Sequence, residues 1–100
     1  MLHPSAGFTY AFSASALPGS KVDPASLRLN GTPLDPAAAY RVTVNSFLAH
    51  GGDGFTVLTE GTNPVGGGVD SGALEAYLAA HSSEAAPLQA PALDRVTRRP

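Results

Sequence analysis

Residues 40–55 read YRVTVNSFLAHGGDGF. Tyr40, Val42 and Val44 alternate with polar neighbours, which predicts a strand from Tyr40 to Asn45 with one buried face. An aromatic residue, Phe47, follows. A short apolar turn then leads into Gly51-Gly52-Asp53-Gly54. This order sets one flat ring and one carboxylate beside a backbone with few side chains. A planar ligand that carries hydroxyl groups could use all three features.

Upstream, Gly7 to Phe12 alternates aromatic and small residues, as a half-buried strand does. Leu17-Pro18-Gly19-Ser20 is a turn signal, and Pro24 argues against a continuous strand from Lys21. Ser26 to Asn30 alternates again, Asn30-Gly31 is a hairpin turn pair, and Thr32 begins the return. Asp35-Pro36 predicts a single helical turn, with Asp35 as its cap. Downstream, Phe55 to Leu58 reads as a strand and Gly61 to Gly68 as an irregular loop. Asp70-Ser71 opens the one convincing helix. Asp70 is its expected cap, and Leu74, Tyr77 and Leu78 fall at packing positions. Ser82 to Pro91 is a Pro/Ala linker, and Arg95 to Thr97 offers a last strand. Strands first and one late helix predict an α+β fold: a small, mostly antiparallel sheet with one main helix.

With 100 residues the chain amounts to one small domain. Charged residues make up 14%, against about 25% in typical soluble chains, which suits a surface that meets another protein surface and equally a sequence rich in Gly and Ala. A net charge of −2 excludes nucleic-acid binding driven by phosphate neutralisation. Arg95, Arg98 and Arg99 read as a solvated tail. Without cysteine, disulfides and thiolate metal sites are excluded. No apolar stretch is long enough to span a bilayer.

The run Phe47 to Phe55, FLAHGGDGF, resembles the signature of the C-terminal domain of 5′-nucleotidases and related periplasmic or cell-surface metallophosphoesterases. Leu2 with Gly7 to Tyr10, Pro18 to Val22, Leu27 to Asp35, Tyr40 to Val42, the helix and Asp94 to Val96 are similar to that family as well. The resemblance implies that residues 1–100 are the distal part of a larger α/β substrate-specificity domain. It implies an extracellular, periplasmic or cell-wall parent. In that parent, a separate N-terminal metallophosphoesterase domain holds a divalent metal pair and hydrolyses the phosphoester. The arginines that touch the nucleotide belong to the first half of the C-terminal domain. No cofactor is expected in this chain, and the chain alone is expected to be inactive.

The same resemblance assigns roles by position. Phe47 stacks on the nucleobase; the pattern alone also allows it as a core residue. Stacking contributes about 1–3 kcal/mol per base and tolerates different bases. Asp53 accepts hydrogen bonds from the ribose hydroxyls. Its alternative is a turn aspartate bonded to its own backbone. Gly51, Gly52 and Gly54 supply positive φ and close approach; a phosphate loop lacks the Lys and Ser/Thr that should follow. Met1 stands where the family often has a second aromatic, which leaves Phe47 as a single platform. His50 and Asp53 are too few for a metal site, and Ser46, His50 and Asp53 lack the setting of a nucleophilic triad. Tyr77 reads as packing and Gly66 to Gly68 as loop.

Two functions follow as expectations. The first is the nucleotide- or nucleoside-recognition part of a phosphoester hydrolase. The second is a non-catalytic module that binds a partner or self-associates through unpaired strand edges.

Overall fold

The computed structural model describes residues 1–100, which divide into two units: Met1–Ala39 with Pro91–Pro100, and Tyr40–Ala90. The first unit is built on β1 (Phe8–Ser13), whose alternating aromatics share a face; the Phe8 and Tyr10 rings lie 6.2 Å apart. β2 (Arg28–Leu29) runs antiparallel to β1, and β3 (Thr32–Pro33) runs antiparallel to β2. β4 (Val96–Arg99) joins the other edge of β1 in parallel, with Tyr10 opposite Val96. The sheet order is β3-β2-β1-β4, so two of the three pairings are antiparallel, and the expected α+β class holds.

Local chemistry explains the turns. Asn30 and Gly31 take φ of 51° and 81°, the pair of left-handed residues that a two-residue hairpin needs. Asp35 accepts the Ala37 N–H at 2.9 Å and closes the expected single turn. Pro24–Ser26 forms a 3-10 turn, capped by Asp23. The Ser26 hydroxyl locks this turn to the sheet. It accepts the Ala11 N–H at 2.8 Å and donates to the Asp23 carbonyl at 2.6 Å. Ala11, 3% exposed, is the one buried residue of the chain.

The second unit contains α1 (Ser46–Ala49), 3-10 turns at Gly52–Gly54 and Thr56–Glu60, and α2 (Asp70–His81). Four expectations are corrected here. Tyr40 to Asn45 has the alternation of a strand but is not one. This unit contains no β-strand, and a strand without a partner leaves its backbone groups unpaired. Phe55 to Leu58 is not a strand either. The chain keeps winding after the glycines, with Phe55 N–H donating to the Gly52 carbonyl and Leu58 N–H to that of Phe55. The helix is capped at Val69, not Asp70. Asp70 occupies the first helical position, and its carboxylate takes the Ser71 N–H at 2.8 Å. All twelve α2 residues are exposed, including Leu74, Tyr77 and Leu78. Tyr77, expected to pack, is 51% exposed, and its ring lies 4.5 Å from that of His81.

Candidate functional site

Asn45 starts the local structure from which the site is made. Its side-chain oxygen accepts the Leu48 N–H at 2.9 Å, and its carbonyl accepts that of Ala49. This cap turns the chain into α1 and sets Phe47 on a single helical turn. Gly51, at φ 83°, then ends the helix and donates its N–H to the Leu48 carbonyl at 2.9 Å.

Phe47 is 59% exposed. The Gly52 backbone lies against its ring: a Cβ on Gly52 would come within 2.5 Å of Phe47 Cε1 and 2.6 Å of the Phe47 carbonyl oxygen. Glycine is therefore required at 52 by close approach, whereas at 51 and 54 it answers positive φ. Ser46, Phe47, His50, Gly51 and Gly52 line an open hollow of about 460 Å³. The structure thus brings Phe47, Gly51 and Gly52 together. Asp53 and Gly54 follow directly in the chain but stand outside this lining. Nothing lies within 4 Å of a Cβ built on Gly54.

Asp53 adopts the left-handed region, with φ 55° and ψ 24°. That conformation is uncommon for a residue with a side chain, though aspartate tolerates it. Asp23, Asp35 and Asp70 each accept a nearby backbone N–H. The Asp53 carboxylate takes no hydrogen bond and no ion pair from the chain. Its left-handed turn is held instead by backbone, through the Phe55 N–H on the Gly52 carbonyl at 3.2 Å.

Two residues left aside in the sequence line the hollow. The Ser46 carbonyl accepts the His50 N–H at 3.2 Å and lies 2.7 Å from His50 Nδ1. The spacing of Ser46 and His50, four residues apart across the predicted turn, is the signal that could have found them.

The family described as 5'-nucleotidase, C-terminal domain, matches residues 1–60. This chain belongs to that family. The match spans the sheet strands β1 to β3 and every residue of the 5'-nucleotidase C-terminal signature from Phe47 to Phe55. α2 and β4 lie beyond the matched residues. Comparison with curated proteins and with solved structures gives no match. No three His, Asp or Glu side chains converge into a group that could hold a metal ion. No helix is long and apolar enough to cross a membrane.

Proposed function

We propose that this 5'-nucleotidase C-terminal-type chain recognises a nucleoside or nucleotide. Phe47 stacks on the base, and Asp53 accepts the ribose hydroxyls. The observation that carries this reading is the Phe47 ring itself, seated on the bare Gly52 backbone and still 59% exposed beside the hollow. A ring held against backbone and still largely exposed is a stacking platform already in place, so little ordering has to accompany binding. The unengaged Asp53 carboxylate supports the second role, because an acceptor not used by its own turn is available to a diol. The partner that hydrolyses the phosphoester is a metallophosphoesterase domain on the same parent, outside the cell or in the periplasm. Separating base recognition from metal chemistry lets binding energy from the nucleoside position the phosphate.

Calorimetric titration of the chain with adenosine tests the reading. Phe47→Ala is expected to weaken binding by about 1–3 kcal/mol. Its melting temperature should stay close to the parent's, because the ring is exposed. Equal affinity of the two proteins contradicts the stacking role. Nucleotide with added divalent cation should yield no phosphate from the purified chain; sustained turnover would contradict the division of labour between domains.

A second reading rests on α2. Its twelve exposed residues include Leu74, Tyr77 and Leu78 at helical spacing, and isolated helices of this length are marginal in water. Self-association would cover that stripe. Sedimentation distinguishes the readings: a monomer that binds adenosine favours the first, and a dimer blind to nucleosides favours the second.

A further inference from the structure

We propose that His50 makes the hollow selective for a nucleobase edge that donates a hydrogen bond, such as the exocyclic amine of adenine or cytosine. This inference rests on the nucleoside reading of the same site and adds a base preference to it. Stacking on Phe47 cannot supply that preference, because every base has a π-face.

The geometry assigns the direction of the hydrogen bond. His50 Nδ1 lies 2.7 Å from the Ser46 carbonyl oxygen. A carbonyl can only accept, so Nδ1 carries the proton and donates. In the neutral ring the other nitrogen, Nε2, is then a bare acceptor. The same Ser46 oxygen also receives the His50 backbone N–H at 3.2 Å, so ring and backbone are tied to one anchor. Nε2 has no hydrogen-bond partner in the chain.

His50 lines the hollow with Phe47, Gly51 and Gly52. Among the side chains there, Ser46 both donates and accepts and therefore does not discriminate between an amino and an oxo group. The Gly52 carbonyl already accepts the Phe55 N–H. Among the lining side chains, Nε2 of His50 is thus an acceptor of fixed polarity. An exocyclic amine donates to it; a base edge without a donor leaves it unpaired.

The test titrates the intact chain with adenosine and with purine riboside, which keeps the ring and the ribose but lacks the amine. Adenosine should bind about threefold to tenfold more tightly. His50→Phe keeps a ring after the turn but removes the acceptor. It should bring the two ligands within about twofold of each other, mainly by weakening adenosine. Ser46→Ala retains the anchoring carbonyl and should keep the preference. A nitrogen-detected NMR spectrum of the unmutated chain covers the case in which His50→Phe disturbs the turn. There the His50 Nε2 resonance should move on adding adenosine and stay in place on adding purine riboside. Equal binding of both nucleosides, with Phe47→Ala weakening both, overturns this inference and leaves the stacking site standing. Absence of binding by either nucleoside overturns both.

Discussion

The sheet unit and the signature unit each rely internally on a different kind of bond. In Met1–Ala39 with Pro91–Pro100, β1 is secured on both edges by segments far away in sequence, and the Ser26 hydroxyl joins a turn to it from fifteen residues on. In Tyr40–Ala90 the bonds are mostly to neighbours three or four residues away, with a longer side-chain tie from Arg41 to the Asn63 carbonyl at 3.2 Å. Charge follows the same division. The sheet unit has five Lys and Arg against three aspartates, and the signature unit one arginine against five carboxylates. Structure secured by local turns sits at the low-stability end of a protein, where ligand-binding segments are commonly found. The Phe47–Asp53 segment fits that placement: its turns are held by a cap and glycines rather than by burial.

The contrast can be broken from either side. Ser26→Ala should have the largest effect. It strands the N–H of the one buried residue and is expected to cost the sheet unit about 1–3 kcal/mol in urea unfolding. Hydrogen exchange should localise the loss to β1, and unchanged β1 protection would show that the hydroxyl does not hold the turn. Asn45→Ala removes the α1 cap and should cost about 1 kcal/mol. It should also weaken nucleoside binding, since the cap sets the turn that carries Phe47. Asp53→Gly sharpens the picture further: relief of the left-handed backbone should leave stability equal or raised by up to about 1 kcal/mol, while ribose binding falls. A matching loss of stability would mean that the carboxylate serves the fold. Arg99→Ala should have the smallest effect. Its 2.6 Å pair with Asp23 is solvent-exposed and is expected to contribute less than about 1 kcal/mol.

Features governed by a few adjacent residues were legible in the residues alone. Asn30-Gly31 specified a hairpin turn, Asp35-Pro36 a single capped turn, and the Asp70 segment a helix, because each depends on dihedral preferences and bonds within one turn. The signature from Phe47 to Phe55 carried the family for the same reason: its glycines and its ring act over nine consecutive positions. Pairing between distant segments was different. Tyr40 to Asn45 alternates as well as β1 does, yet only β1 lies in the sheet, because alternation describes faces and says nothing of whether a partner edge exists. The parallel seat of β4 on β1, the exposure of Phe47 over Gly52 and the shared anchor of His50 at the Ser46 carbonyl were decided in three dimensions. A residue's own chemistry fixes which bonds it can make, and only the folded chain determines which atoms come close enough to make them.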